Sequence, residues 1–295
     1  MSAGGAFVTG GHGFAGRHLV ALLEAPVAPS RSELDLLDAE AVRRAVAEAT
    51  PARVFHLAAL ASVARSWESP RAVLGDNVAM TVNLLEAVRL EAPEAAFVLA
   101  GSGEVYGPPE RLPVTEEEPL RPQNPYAVSK AACDLLAGQY ADAHGLRVIR
   151  MRAFNQAGPG QSDVYVVSTI ARQVAEAEAA GTSEAVIRTG NPDSARDFTD
   201  VRDTVRAYVE GSGLAAGVYN VCRGEATSVR TLVELAGRAG GVTIRHEVDS
   251  ERVRAHDVPE LRGSAERLAS ATGWRPEIPL ERTVADAVAY WRARL

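Results

Sequence analysis

The chain of 295 residues is 46% hydrophobic and 23% charged, a balance that describes a globular protein with a core large enough for one or two domains. Its net charge of −7 comes without any basic run, which argues against nucleic acid as a partner, and no apolar stretch approaches the ~18 residues of a membrane span. Two cysteines, Cys133 and Cys222, are too few for a disulfide framework and lack metal-ligand spacing; with no signal pattern at the N-terminus, they predict buried thiols in a cytoplasmic protein that holds no metal.

Ala6-Phe7-Val8 predicts a strand that enters a glycine-rich turn, and a helix comes next over Gly16 to Glu24. Glu33 to Asp38 reads as a further strand ending at Asp35 and Leu36, a place from which both would frame an adenine. Next come a helix over Ala39 to Ala49, a strand over Arg53 to Leu57, a helix over Asp76 to Leu90 and a strand over Ala96 to Ala100. A helix capped by Asn124 closes near Gly145 and hands over to a strand over Leu146 to Met151. Beyond about residue 155 the rhythm loosens. Helices are expected over Val164 to Ala180, Val201 to Gly211 and Ser228 to Gly237, a strand over Ala185 to Ile187, and a last helix after Trp274-Arg275-Pro276 that ends at Leu295. This alternation predicts an α/β fold with a doubly wound parallel sheet over residues 1–155, to which segments around 196–222 return. Residues 156–295 would form mainly a smaller α/β lobe for substrate.

Of the 31 basic residues one is lysine, Lys130, and the other 30 are arginine. A position that departs from arginine in such a chain points to a need for a compact ammonium whose pKa the environment can move. Lys130 stands four residues after Tyr126 in Asn124-Pro125-Tyr126-Ala127-Val128-Ser129-Lys130. Asn124 suits an N-cap and Pro125 the first turn, so Tyr126 and Lys130 form an i, i+4 pair on one helix face. A nearby ammonium would pull the tyrosine pKa down and make Tyr126 a general acid or base near neutral pH.

Thr9-Gly10-Gly11-His12-Gly13-Phe14-Ala15-Gly16 comes after a strand and opens a helix, the setting of a dinucleotide fingerprint. Gly10 and Gly13 would admit a pyrophosphate to the helix N-terminus. No carboxylate stands where NAD-selective sites hold the ribose, and Arg31 between Ser30 and Ser32 suits a 2′-phosphate instead. NADP(H) is therefore favoured, with NAD(H) possible.

Together with His56-Leu57-Ala58-Ala59, Asp76-Asn77-Val78 and Gly101-Ser102-Gly103-Glu104-Val105-Tyr106-Gly107, these motifs resemble the extended short-chain dehydrogenase/reductase superfamily, and the likeness spans nearly the whole chain. The resemblance implies a Rossmann fold with Ser102, Tyr126 and Lys130 as the catalytic group. It also implies that Gly10, Gly13, Phe14, Gly16, Leu57, Ala58, Ala59 and Asn77 lie along the cofactor. Phe154-Asn155-Gln156-Ala157-Gly158-Pro159-Gly160-Gln161 and Arg196-Asp197-Phe198-Thr199-Asp200 are similar to the nucleotide-sugar enzymes of the GDP-mannose branch, its reductases in particular. Two departures stand out: Gln156 replaces a histidine, and Arg254-Ala255-His256-Asp257 replaces Arg-Pro-Ser/Thr-Glu.

The function implied is NADPH-dependent reduction of the 4-keto group of a nucleotide-linked 6-deoxyhexose, GDP-linked by resemblance. Tyr126 would protonate the developing alkoxide and Ser102 would hold the reacting oxygen. Asn155, Arg172, Arg196, Arg254 and Asp257, with Arg252, would meet the sugar nucleotide. A 4,6-dehydratase stays open because Glu104 stands where such enzymes place a further acid/base; pairing with a nearby arginine is the plainer role for this carboxylate. An epimerase and a non-catalytic cofactor-binding regulator also stay open. A homodimer is expected through the helices over 76–90 and 124–143.

Overall fold

The computed structural model describes residues 5–252 and 258–295, without the side chain of Arg252. Strand β1 (Ala6–Thr9) leads into helix α1 (Phe14–Leu22), and α2 (Ala39–Ala49) precedes β2 (Arg53–His56). Helices α3 (Val63–Glu68) and α4 (Pro70–Glu91) then connect to β3 (Ala96–Ala100), and α5 (Pro125–His144) connects to β4 (Val148–Ala153). Helix α4 starts at Pro70, ahead of the start expected at Asp76, because proline is tolerated in a first turn where its missing N–H has no partner to lose.

Between α1 and α2 the expected strand is absent. Residues 33–38 are turns and irregular chain. Only Val27 joins the sheet there, its N–H donating to Ala6 O and its carbonyl accepting from Val8 N, each at 2.8 Å. Pro26 and Pro29 on either side lack the N–H that a longer ladder needs. Further on, the Asp35 side chain accepts from Leu37 N at 3.0 Å, a local turn that competes with extension. Leu34 and Leu36 are nonetheless buried in the core.

The chain continues through β5 (Asn155–Ala157), α6 (Val166–Ala179), β6 (Glu184–Thr189), β7 (Ala195–Asp200), α7 (Val201–Gly211) and β8 (Gly217–Val221). It ends with β9 (Ala226–Ser228), α8 (Val229–Gly240), β10 (Thr243–Val248), β11 (Glu260–Leu261), α9 (Glu266–Thr272) and α10 (Leu280–Arg292). Trp274, ahead of the last helix, is fixed in the core with its indole N–H donating to Asp203 O at 3.1 Å.

The main sheet is parallel, in the order β1-β2-β3-β4-β8. One face carries α2, α4 and α5 over a core that includes Phe7, Val54, Phe97 and Val148. The other face carries α1 and α7 over Val8, Phe55, Val98, Ile149 and Met151. The strands are apolar along both faces because both are covered, as parallel sheets require. A third apolar cluster joins α6, α8 and α10 to β6, and β11, β7 and β5 form a small sheet with β9 paired to β7. Asp197 on β7 turns inward and accepts from the N–H groups of Arg223, Gly224 and Gly263. Burial pushes its carboxyl up to about 6.

A buried ion pair fastens α5 to the sheet. Arg152 on β4 meets Asp134 on α5 through two hydrogen bonds of 2.9 and 2.8 Å, and its remaining edge donates to Tyr106 Oη at 3.0 Å. Removing one partner of such a pair strands the other charge without water. Asp134→Ala is therefore expected to lower stability by about 3–5 kcal/mol, a fall in Tm of roughly 10 °C. Asp134→Leu combined with Arg152→Met, which leaves of this cluster only the partly exposed Arg150, 3.2 Å from Asp134, is expected to recover most of that loss in the same thermal melts.

Candidate active site

At the end of β1 the backbone turns with Gly10 at φ +73°, a conformation that L side chains rarely adopt. A Cβ on Gly10 would lie 2.6 Å from Ala58 N, and one on Gly16 would lie 2.0 Å from Gly10 O. Glycine at these two positions lets the turn press against the loop after β2 and lets α1 press against the turn. Gly13 caps α1 without a side-chain bond and no acid occupies the first turn, so its leading N–H groups face outward with the positive end of the helix dipole. That cradle fits a pyrophosphate.

The cavity beside it, about 270 Å³, is lined by Gly10, Gly13, Arg31, Asp35, Leu36, Ala58 and Ala59 among others. Phe14, Gly16, Leu57 and Asn77 are not among its lining residues. Phe14 and Leu57 pack against the core on the α1 face of the sheet, and Gly16 is the close-packing position. Arg31 has no ion-pair partner among the described residues, and it stands exposed between Ser30 and Ser32, whose hydroxyls meet at 3.0 Å. Thr9 and His12 also line the cavity. Nothing in the sequence singles these two out, because each sits inside a stretch whose glycines carry the signal.

The residues of the expected catalytic group assemble where β3 ends. Ser102 caps a 3-10 turn over Gly103–Tyr106, its Oγ accepting from Glu104 N at 3.2 Å. Asn124 caps α5, its side chain accepting from Ala127 N at 2.8 Å, and Pro125 fills the first turn as expected. The two caps place Ser102 near enough to Tyr126 to bear on its phenol. Lys130 is buried and its ammonium donates to the Ala100 carbonyl.

The electrostatics differ from expectation. Burial pushes the Tyr126 phenol up from its usual range, and Ser102 only partly offsets this. Burial also pulls the Lys130 ammonium down, against the nearby Cys133 and Asp134. The expected lowering of Tyr126 by Lys130 is absent, since the ammonium is turned to a backbone carbonyl. A phenol is already protonated at neutral pH at its ordinary value, and the shift holds the proton more firmly.

Glu104 accepts from Asn124 Nδ2 at 3.3 Å, and its charge is felt at Tyr126. It has no arginine partner among the described residues. Tyr165 and Tyr208 also bear on Tyr126, from the start of α6 and from α7. Gln156 Nε2 donates to Tyr208 Oη at 3.4 Å, so the residue in place of the histidine faces this cluster. No local motif announces these two tyrosines, because they reach the site through the tertiary fold.

Asn77 is held away from the cavity wall. It binds the Leu60 backbone through both ends of its amide and donates to Ser129 Oγ at 2.9 Å. Arg172 is taken by Asp163 at 3.3 Å and Glu176 at 3.7 Å. Arg196 donates to Ala195 O and Val258 O. Asn155 opens β5 immediately beyond the carboxyl end of β4. Arg254 and Asp257 lie outside the described residues, as does the side chain of Arg252.

The sequence profile of the GDP-mannose 4,6-dehydratase family matches residues 30–287. GDP-6-deoxy-D-mannose reductase of Pseudomonas aeruginosa is 36% identical to this chain over 98% of its length and 97% of the relative's. Among solved structures, RMD from Pseudomonas aeruginosa complexed with NADPH matches with a TM-score of 0.89 at 35% identity, over 98% of this chain and 99% of that one. UDP-glucose 4-epimerase of Thermus thermophilus, a complex with NAD, matches with a TM-score of 0.85 at 29% identity, over 98% and 99% of the two chains. With the glycine cradle, the parallel sheet and these likenesses in agreement, the chain belongs to the GDP-mannose 4,6-dehydratase family.

Proposed function

We propose that the chain is an NADPH-dependent reductase of the 4-keto group of a nucleotide-linked 6-deoxyhexose, with GDP-4-keto-6-deoxy-mannose as substrate and GDP-rhamnose or its 4-epimer as product. The observation that carries this reading is the grouping of Ser102, Tyr126 and Lys130 where β3 ends, beside a dinucleotide cradle. The name of the 36% identical relative supports the sugar.

When bound in the cradle, the reduced dinucleotide supplies the hydride. Tyr126 holds the proton that the keto oxygen takes up as it becomes a hydroxyl, and a phenol raised by burial keeps that proton until negative charge develops beside it. Ser102 orients the same oxygen by hydrogen bonding. Lys130, which donates to the Ala100 carbonyl at the end of β3, would hold the nicotinamide ribose. Arg31 and the two serines would take the 2′-phosphate. Asn155 and Arg196, with Arg254 and Asp257, are the substrate-side groups of this reading. Arg172, already paired twice, supports the turn that carries Asp163 instead.

Glu104 supports a second reading. A carboxylate close to Tyr126 and free of arginine pairing among the described residues is what a 4,6-dehydratase needs to move a proton at the neighbouring carbon. A homodimer is also part of the proposal. Leu74, Val128 and Leu135 are exposed on α4 and α5, which pack side by side, and Leu135 is 62% exposed. Cytoplasmic residence goes with the same reading, since both cysteines are buried free thiols.

Incubation with GDP-4-keto-6-deoxy-mannose and NADPH is expected to consume reduced nicotinamide in step with a new deoxysugar nucleotide, and Tyr126→Phe is expected to lower kcat by about 10²-fold or more. No consumption, together with conversion of GDP-mannose to a keto sugar, would replace reduction by dehydration. Arg31→Ser is expected to raise the KM for NADPH about tenfold while leaving that for NADH unchanged, measured by initial rates with each cofactor. Leu135→Arg is expected to turn a dimer into a monomer in sedimentation velocity runs; a monomeric parent protein would remove the dimer from the proposal.

A further inference from the structure

His56 has no part in this chemistry, yet it is a titratable side chain enclosed between the two halves of the site. Its Nδ1 lies 2.7 Å from Thr9 Oγ1 and its Nε2 lies 3.1 Å from Thr81 Oγ1. Burial, with the Lys130 charge adding to it, pushes the imidazole down to about 3, so the ring is neutral across the physiological range. Cys133, the other titratable group packed against this cluster, is held as a thiol by burial.

The partners fix the proton positions. Thr81 Oγ1 lies 2.8 Å from Asn77 O, a carbonyl that can only accept, and 3.2 Å from Cys133 Sγ, a weaker acceptor. The one hydroxyl hydrogen of Thr81 therefore goes to the carbonyl. Thr81 must then accept from His56, which makes the ring the Nε2–H tautomer. Nδ1 is left as an acceptor and takes the hydroxyl hydrogen of Thr9. From Asn77 the row continues through its amide to Ser129 Oγ at 2.9 Å and from Ser129 to Tyr126 O at 2.7 Å. Every member from Thr9 to Ser129 is buried. The row starts on a residue that lines the dinucleotide cavity and ends on the backbone of Tyr126.

We propose that His56 is a positioning residue, an Nε2–H imidazole that ties the dinucleotide turn to the helix of Tyr126 through this row of hydrogen bonds. Its functional consequence rests on the proposed dinucleotide site. Thr9, having spent its hydrogen on the ring, is fixed in one orientation at the cavity wall. A change at Thr81, which does not line the cavity, should then be felt by the dinucleotide.

The test pairs Thr81→Val, which keeps the shape and removes the hydroxyl, with Val88→Ala, a buried truncation on the same helix outside the row. NADPH binding is measured by calorimetric titration. Thr81→Val is expected to weaken binding about fivefold or more, and Val88→Ala to leave Kd within about twofold even where its Tm falls as far. Equal Kd values for the two variants would overturn the proposal, since a merely structural role moves Tm alone. Nitrogen-15 spectra of histidine-labelled parent protein give a readout that needs neither dinucleotide nor turnover. They are expected to show His56 protonated at Nε2 only, between about pH 5 and 8. A ring protonated at Nδ1 would overturn it. If the parent protein fails to bind NADPH, the dinucleotide reading falls, and with it the coupling claimed for His56.

Discussion

The guanidinium of Arg152 leaves β4 between Asp134 on α5 and Tyr106 at the end of the 3-10 turn, buried away from bulk water. Its demand for partners sets the distance from α5 to the sheet. Tyr106 in turn donates to Asn220 on β8 at 2.7 Å, and Asn220 N donates to Glu116 in the loop ahead of α5. One buried charge thus fixes the helix that carries Tyr126 and Lys130, the turn that carries Ser102 and Glu104, and the loop between them. A network of this kind is tolerable only when each member is satisfied, which is why the site sits on rigid elements.

Burial then does the chemical tuning. Tyr126, Lys130 and His56 are all moved toward their neutral forms by desolvation before any specific partner is considered. Tyrosine is held as an acid by this shift, and histidine becomes a fixed hydrogen-bonding bridge. Lysine retains a place at the Ala100 carbonyl, where a compact ammonium fits and a planar guanidinium would need more room. The same dry surroundings that enforce these states also strengthen the hydrogen bonds that hold the groups in line.

Many other arginines are used at the surface in pairs such as Arg43 with Glu91 and Arg292 with Glu178, whose individual contribution to stability is small. Arg172 belongs with these. Arg31 does not, and its freedom beside the glycine cradle is what makes it stand out from a crowd of identical side chains.

Much of the fold was legible because its signals are local. Helix α2 over Ala39–Ala49, helix α7 over Val201–Gly211 and strand β3 over Ala96–Ala100 fall where periodicity puts them. The spacing of Tyr126 and Lys130, the Asn124 cap and the glycine turn are equally local, since one helical turn or one tight backbone bend is enough to specify them. The strands β5, β7, β9 and β11 were not legible: all but β7 are two or three residues long, and the partners of all four arrive from distant segments. Asp35 and Leu36 mislead for the opposite reason, as an alternating apolar pattern that local turns keep from pairing. Residue types at the candidate site, their spacing and the parallel α/β plan are thus written in short stretches of chain. Which charges stay free, which way Lys130 turns, and the arrival of Tyr165 and Tyr208 beside Tyr126 depend on the closed fold, because burial and long-range partners exist only once distant segments have packed together.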